Sequence, residues 1–275
     1  MSFKPVLPMT GYAGWTFLNW TMAAQKDAFA ASPSNTREED YFREKIGGVK
    51  TADALVSDRR LLRVALVAFG LESDIDSKAF IRKVLEEGTL ETGALANRLA
   101  DKRYAEFSRT FGFGDFATPA TQISDFADRI LERFRAKSFE QAVGQQNGSY
   151  RLAMNAQSEL GILASRNLSS DSKWYGVLAS KPLREVFQTA LGLPQTFALI
   201  DVDRQLEVLK NKARSALGVG DPSAFAMKEV TDKLIRMYLV RAEAGPGGGS
   251  LSIGTGAIQM LAAGQQSLSA LLGRR

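Results

Sequence analysis

The clearest pattern in the chain is an apolar stripe at helical spacing within residues 55–71. Its members are Leu61, Val64, Ala65, Ala68 and Phe69. Intervals of three and four place these side chains on one face of an α-helix that packs against a core. Asp58 is a candidate N-cap before the stripe, and Gly70 stands where a C′ glycine ends a helix. The pattern therefore predicts a core-facing helix over residues 59–69.

The same pattern returns at an offset of 122 residues, because Ser180 takes the place of Asp58 and Gly192 takes that of Gly70. The apolar members of this second stripe are Leu183, Val186, Phe187, Ala190 and Leu191. Chance similarity is one explanation, since every core-facing helix follows this periodicity. The shared caps and the shared Gly-Leu endings favour the other explanation, an internal duplication.

Helical periodicity continues through most of the chain, and no alternating strand pattern is convincing. We expect an all-α, multihelical protein in which two similar helical units pack as one globular body, followed by a flexible C-terminal tail. The predicted domains are an N-terminal lead and helix (1–35), helical unit one (36–145), helical unit two (146–244), and a Gly-rich linker with a weakly amphipathic tail (245–275).

Two predictions concern helices of the first unit. Thr36 and Glu39 have the spacing of a capping box, which predicts that a helix begins after Thr36. Residues 95–111 carry one helical pattern and predict one continuous helix.

Two further helix predictions follow from the same signals. Residues 121–139 predict an amphipathic helix with one buried face, formed by Ile123, Phe126, Ile130 and Phe134. Asp221 as N-cap and Pro222 at the first helical position predict the start of the last core helix.

The charge balance points away from nucleic acid. The chain has 275 residues, with 35 Lys and Arg against 30 Asp and Glu, which gives a net charge of +5. A nucleic-acid footprint would be a clustered stripe of Lys and Arg. The densest basic groups are interleaved with apolar residues on predicted helices, as on ordinary solvated faces: Arg59, Arg60 and Arg63, and Lys210, Lys212 and Arg214.

The absence of two residue types narrows the chemistry further. The chain has no Cys and no His. Disulfides, zinc sites of the Cys and His type, thiol nucleophiles and imidazole catalysis are therefore excluded. An enzyme with this sequence would have to use carboxylates, Lys, Ser, Thr, Tyr or the backbone.

The motifs that could carry chemistry have a plainer interpretation. The glycines of residues 245–256 lack the Gly-Lys-Ser/Thr ending and the preceding strand of a phosphate loop, so they read as a linker. Ser170 and Lys173 have Ser-x-x-Lys spacing, but the partner motifs are absent, and Ser170 reads as an N-cap. Asp101, with Arg103, reads as an ion-pair cluster. We predict no catalytic residue, no metal ligand and no cofactor.

The pattern predicts no membrane span. No stretch approaches the roughly 18 consecutive apolar residues that a spanning helix needs. Residues 1–8 contain two prolines and one Lys and make a poor secretion signal. We expect a cytoplasmic location by default, and export by a flagellar route stays open.

The C-terminal tail carries a weak heptad pattern. The aliphatic residues at its a and d positions are Leu251, Ile258, Leu261, Leu268 and Leu272. We interpret these five residues as a tail that docks onto a protein partner, and the alternative is a frayed end, because the interspersed glycines each disfavour helix by about 1 kcal/mol.

Several blocks, in order, carry a resemblance to a known family. They are Tyr41-Phe42, residues 55–71, residues 78–81 and residues 99–104. Over residues 36–240 the chain resembles an uncharacterised alphaproteobacterial family, whose members carry a domain of unknown function and are often encoded among flagellar genes. The resemblance implies a multihelical fold and an association with flagellar assembly, and it implies no site residue. The chain lacks the Asn-Asn-rich signature of standard rod and hook subunits.

Three hypotheses about function follow. The first is a non-enzymatic interaction or assembly protein, associated with flagellar assembly or its regulation, whose partners are proteins and include flagellar components. The second is a small-molecule binder or a carboxylate-based enzyme with a cleft between the two helical units. The third, a nucleic-acid binder, needs a basic stripe on the folded surface and is the least favoured. The oligomeric state does not follow from the sequence.

Overall fold

The computed structural model describes residues 3–244. This range contains thirteen α-helices and no β-strand, so the predicted all-α, multihelical class is confirmed. In chain order the helices are α1 (Gly11–Ala30), α2 (Pro33–Lys45), α3 (Ala52–Ser57), α4 (Arg59–Ala68), α5 (Lys78–Glu87), α6 (Leu95–Arg98), α7 (Arg103–Phe111), α8 (Phe126–Gly144), α9 (Gly148–Ser165), α10 (Ser170–Ala179), α11 (Lys181–Ala190), α12 (Val202–Leu217) and α13 (Lys228–Ala244). The predicted docking tail, with Leu251, Ile258, Leu261, Leu268 and Leu272, lies outside the described residues.

The described chain divides into two compact units. Unit 1 comprises the residues up to Glu159 together with Tyr175–Arg184. Unit 2 comprises Leu160–Trp174 and the described residues from Glu185 onward. The domain boundaries predicted from the sequence, including the one at residue 145, stay predictions.

The core of unit 1 is built around α4. Its buried residues are Leu61, Leu62, Val64, Ala65, Leu66, Val67 and Ala68. Arg59, Arg60 and Arg63 form the exposed face of this helix, and its buried residues cover the rest of the circumference, so several other elements must pack against it. α2, α3 and α8 supply those neighbours. The helix predicted over residues 59–69 is therefore confirmed, and it is buried more completely than one stripe implies.

Both ends of α4 have the predicted caps. The carboxylate of Asp58 accepts hydrogen bonds from the backbone N–H groups of Arg60 and Leu61, at 2.9 and 3.1 Å. Gly70 has φ of +68°, and the N–H of Leu71 donates to the carbonyl of Leu66 at 2.9 Å. This is a Schellman ending, which needs the left-handed conformation that glycine adopts most easily.

The ends of α11 repeat this chemistry. Ser180 Oγ accepts a hydrogen bond from the N–H of Leu183 at 3.4 Å. Gly192 has φ of +63°, and the N–H of Leu193 donates to the carbonyl of Gln188 at 2.8 Å. The predicted boundaries of this helix are thus confirmed. The similar caps of α4 and α11 favour an internal duplication, which stays a prediction.

Unit 2 has an aromatic centre formed by Trp174, Phe187 and Phe225. The three rings meet edge to face, with centroids 5.5 to 6.4 Å apart. This geometry places the positive edge of one ring on the negative face of another. Around it, α12 and α13 contribute buried aliphatic residues, which are Leu206, Leu209, Ala213, Leu217, Leu234, Ile235 and Leu239.

Two helix predictions for unit 1 were wrong. α2 begins at Pro33 with Ser32 as its N-cap, so Thr36 caps nothing. Pro33 fits the first helical position because its missing N–H has no partner there. The continuous helix over 95–111 is broken between α6 and α7, because Leu99 is extended (ψ 139°) and Asp101 accepts a hydrogen bond from the N–H of Arg103.

Two further predictions placed a helix start too early. α8 begins at Phe126, and Ile123 precedes it in extended conformation, so Ile123 is not part of the buried face. Asp221 does accept a hydrogen bond from the N–H of Ser223, but it caps a short 3-10 turn, Pro222–Ala226. The last helix, α13, starts after that turn, at Lys228.

Candidate functional site

A groove of about 500 Å³ lies on the surface of unit 1. It is formed by the end of α7, the 3-10 turn Ala120–Gln122 and the first half of α8. Its lining residues are Arg109, Thr110, Ala120, Ile123, Phe126, Arg129, Ile130, Glu132 and Arg133. We call it the arginine groove.

The local sequence explains why the chain turns here. α7 ends at Gly112, which has φ of +69°. A Cβ at Gly112 would also stand 2.9 Å from the ring of Phe116, so this position favours glycine on two grounds. Farther on, the buried hydroxyl of Thr121 donates to the carbonyl of Val49 at 2.6 Å. That bond holds the 3-10 turn in place, and Ile123, which follows the turn, lines the groove.

The floor of the groove is apolar. Phe126 and Ile130 are buried core residues, and the ring of Phe126 lies edge to face with that of Phe111 at 5.1 Å. Ile123 is 52% exposed. The exposed half of the Ile123 side chain is therefore the apolar surface that the groove offers to a ligand, and the buried Phe126 and Ile130 support it from below.

Three guanidinium groups surround this floor. Arg133 contacts Glu106 at 2.6 Å and lies over the ring of Phe69, 5.0 Å from its centroid. Arg129 is 3.3 Å from Asp125, the residue that precedes α8. Arg109 has no ion-pair partner among the described residues. Exposed ion pairs such as these contribute little, about 0 to 1 kcal/mol, so the arginines can exchange them for a better acceptor.

The arrangement is suited to binding. An arginine fork matches the geometry of a carboxylate, and the exposed side chain of Ile123 favours an aliphatic or aromatic neighbour on the same ligand. Glu132 also lines the groove and opposes a ligand made of negative charge alone. Among residues 3–244, no group of three or more carboxylates could hold a metal ion. The same part of the chain has no helix long and apolar enough to span a bilayer.

The Ser-x-x-Lys match does not form a site. Ser169, not Ser170, caps α10, because its Oγ accepts a hydrogen bond from the N–H of Ser172 at 3.2 Å. Lys173 is buried, and its Nζ donates to the carbonyl of Ala164 at 3.1 Å and to Ser223 Oγ at 2.6 Å. The amine therefore joins α9, α10 and the turn before α13, and the N-cap prediction for Ser170 was wrong by one residue.

The predicted ion-pair cluster at Asp101 is confirmed. The Arg103 guanidinium contacts both Asp101 oxygens and also donates to the carbonyl of Gly70. Burial acts to raise the pKa of Asp101, but the hydrogen bonds from Arg103 outweigh it, so this pKa lies below its usual range. The cluster anchors the start of α7 to the end of α4.

A neighbouring pair supports the same junction. Tyr104 donates a hydrogen bond to Asp74 at 2.6 Å, and its ring lies edge to face with that of Phe80 at 5.2 Å. Burial, followed by this hydrogen bond, raises the pKa of Tyr104 above its usual value. Both pairs serve the packing of α7, which presents Arg109 to the groove.

Sequence reasoning missed every residue of the arginine groove as a binding residue. The sequence did contain one sign of a binding site. Arg129 and Arg133 are like charges four residues apart on a helix, where they repel each other, and such a pair is unfavourable without an acidic partner. Ile123 was assigned to the core. Arg109 stands twenty residues before Arg129, and nothing local links the two positions.

The family described as "Protein of unknown function (DUF1217)" matches residues 68–233, more than half of the chain. The chain belongs to the DUF1217 family. The predicted membership in a domain-of-unknown-function family is confirmed, and the DUF1217 match contains the whole arginine groove.

The chain is also similar to a crystal structure. That structure is of a protein from Agrobacterium tumefaciens, an alphaproteobacterium, determined within a structural genomics programme. The two are 27% identical with a TM-score of 0.69, over 88% of this chain and 98% of the other. The comparison with curated proteins finds no match.

Proposed function

We propose that this DUF1217 protein is a non-enzymatic interaction protein that takes up a partner segment in the arginine groove, and that it is associated with flagellar assembly or its regulation. The partner segment would carry carboxylates and apolar side chains. The protein would act in the cytoplasm or at the flagellum. The tail of residues 251–272 would supply a second contact.

The observation that supports binding is the combination of Arg109 and Ile123 in one groove. Arg109 is a guanidinium without an ion-pair partner among the described residues, and Ile123 is an exposed aliphatic beside a buried aromatic floor. Each alone is ordinary on a protein surface. Together they provide the charged anchor and the apolar contact that interface cores combine.

The flagellar part of the proposal rests on the resemblance alone. The blocks at Tyr41-Phe42, 55–71, 78–81 and 99–104 resemble a family often encoded among flagellar genes. Membership in a family of unknown function is compatible with that role and does not add to it.

The first experiment is an in-frame deletion of the gene, with swimming assays and electron microscopy of the cells. We expect non-motile cells with absent or malformed filaments. The gene for the unchanged chain, expressed from a plasmid, should restore swimming. Normal swimming and normal filaments in the deletion strain would contradict the flagellar part of the proposal.

The second experiment tests the groove in the same strain. Arg109→Glu reverses the unpaired charge and should fail to restore swimming. Arg98→Glu changes another exposed arginine, outside the groove, and should restore it. Equal cell content and equal urea unfolding of both variants would exclude a stability effect. Full restoration by Arg109→Glu would contradict the role of the groove.

The third experiment tests the tail. A chain that ends at Ala244 retains every described residue and lacks Leu251, Ile258, Leu261, Leu268 and Leu272. We expect it to restore swimming only in part. Complete restoration would remove the tail from the proposal and leave the groove in it.

The volume of the groove supports a second candidate function, the binding of a small organic anion. A volume of about 500 Å³ lies within the range of small-molecule sites, roughly 300 to 1,000 Å³. A thermal-shift screen of organic carboxylates and phosphates would test it. Stabilisation of the unchanged chain and of Arg98→Glu, but not of Arg109→Glu, would favour this candidate.

A further inference from the structure

Unit 2 carries an exposed acidic and apolar segment, Leu199–Asp203. Leu199 is 83% exposed, Ile200 is 40% exposed and Val202 is 49% exposed. Asp201 and Asp203 alternate with them. Three large aliphatic side chains exposed within four residues mark an interaction surface more strongly than scattered ones do. We call this segment the acidic knob.

The acidic knob is held in place by its own unit. Asp201 is the N-cap of α12 and accepts a hydrogen bond from the N–H of Asp203 at 2.9 Å. The side chain of Gln205 donates to the carbonyl of Ile200 at 2.7 Å. The preceding 3-10 turn is anchored by Phe197, which is buried. A segment that is already ordered loses little conformational entropy on binding.

The knob and the arginine groove are complementary in two respects. The groove presents guanidinium groups around the exposed side chain of Ile123, and the knob presents carboxylates among Leu199 and Val202. The tail of this chain is not complementary, because residues 245–275 contain two Arg and no Asp or Glu. Charge therefore selects the acidic knob over the tail as the occupant of the groove.

We propose that the arginine groove of one molecule binds the acidic knob of a second copy of this chain. The proposal rests on the groove of the proposed function and names its partner. Leu199 and Val202 would pack against the exposed side chain of Ile123, and the carboxylates of the knob would face Arg109 and Arg129. Because groove and knob are different surfaces, the contact is heterologous, and each molecule keeps one of each for the next.

The expected association is weak and reversible. A five-residue knob in one groove buries less surface than a standard interface of about 1,600 Å². Affinity should therefore lie in the micromolar range. Opposite charges at an exposed rim are screened by salt, so association should weaken as ionic strength rises.

The test is analytical ultracentrifugation of the full chain at increasing concentration. The unchanged chain should sediment faster as its concentration rises. Leu199→Glu and Arg109→Glu should each weaken association by about tenfold or more. Leu90→Glu and Arg98→Glu change an exposed leucine and an exposed arginine elsewhere and should leave it unchanged. Val202→Asp is a second variant of the knob. Val202 is the first residue of α12, where an acidic side chain is favourable to the helix, so this change should weaken association without unfolding the helix.

Mixing the two variants separates a heterologous contact from any other. Leu199→Glu keeps an intact groove, and Arg109→Glu keeps an intact knob. An equimolar mixture should therefore form one-to-one dimers and stop there, at concentrations at which each variant alone, with its weakened association, is still mainly monomeric. A monomeric unchanged chain, association that survives both changes, or a mixture that stays monomeric would each overturn the proposal.

The outcomes also distinguish this inference from the proposed function. Failure of self-association together with loss of swimming in Arg109→Glu would keep the groove as a docking site for another protein. Self-association that needs Leu199 and Arg109, together with normal swimming of both variants, would keep the contact and contradict the proposed function.

Discussion

Glu39 and Arg135 form a two-point ion pair between α2 and α8. Arg135 Nε donates to Glu39 Oε1 at 2.8 Å, and its Nη2 donates to Oε2. The Glu39 side chain is 7% exposed, whereas that of Arg135 is 47% exposed. Within this pair only the Glu39 carboxylate is therefore buried. The pair connects α2 and α8, two of the helices that surround α4.

Removal of Glu39 should destabilise the protein. Glu39→Ala takes away two charge-assisted hydrogen bonds and leaves Arg135 beside the core, so we expect a loss of about 1 to 3 kcal/mol in the free energy of unfolding. Urea denaturation measures it. Glu44→Ala, which removes an exposed pair with Lys45 on the same helix, is the control and should change stability by less than about 0.5 kcal/mol. Equal losses would contradict the special position of Glu39.

Asp58 should make stability depend on pH in acid. Burial acts to raise its pKa, but the hydrogen bonds from Tyr41 and from the N–H groups of Leu61 and Arg60 outweigh it and lower this pKa below the usual value. A lowered folded-state pKa contributes stability above the unfolded value, about pH 4, and this contribution is lost as pH falls through the folded pKa.

Asp58→Asn should remove that dependence. Asn retains the capping hydrogen bonds and does not titrate. We expect a shallower decline of the urea midpoint below about pH 4 than for the unchanged chain. Asp40→Asn, at an exposed carboxylate on α2, serves as the control and should leave the decline unchanged. A parallel decline in Asp58→Asn would show that this carboxylate is not the titrating group.

Gly70 and Gly161 should respond to alanine in opposite directions. Gly70 has φ of +68°, and a Cβ there would stand 3.1 Å from Arg103 Nη1, so Gly70→Ala should destabilise by about 1 to 2 kcal/mol. Gly161 lies inside α9 with nothing within 4 Å of its Cβ position. Gly161→Ala should therefore stabilise by up to about 1 kcal/mol. Thermal unfolding of both variants provides the comparison.

Lys173 should be a structural residue and not a catalytic one. Its side chain is buried, and its amine bonds to the carbonyl of Ala164 and to Ser223. Lys173→Met leaves both acceptors without this donor, and we expect a loss of about 1 to 3 kcal/mol in the free energy of unfolding. Lys78→Met, at an exposed lysine, should stay within about 0.5 kcal/mol. A serine-directed acylating probe should leave Ser223 unlabelled, and labelling that depends on Lys173 would contradict this assignment.

Local signals identified those features whose partners lie within a few residues. Asp58 and Gly70 bound α4 as expected, because a cap is satisfied by the first or last turn of its own helix. The same reason accounts for Ser180 and Gly192 at α11. The class of the fold followed from the same periodicity, since only one kind of secondary structure satisfied it.

Features with distant partners did not follow from local signals. Glu39 read as part of a capping box and instead pairs with Arg135, ninety-six residues away. The pattern over 95–111 read as one helix, but Arg103 is drawn to the carbonyl of Gly70 and to Asp101, and the chain breaks before it. In each case the residue also has a contact with a distant part of the chain, which local spacing does not report, beside the local cause: Ser32 and Pro33 begin α2, and Asp101 accepts the N–H of Arg103.

By itself, the sequence determined the all-α class, the two capped helices α4 and α11, and the exclusion of chemistry that needs Cys or His. Only the tertiary structure decided the arginine groove. The bond from Thr121 to Val49 spans seventy-two residues and holds the turn before Ile123, and the packing of α7 brings Arg109 into the same groove as Arg129. Periodicity reports which face of one element is apolar, whereas a groove depends on how separate elements meet.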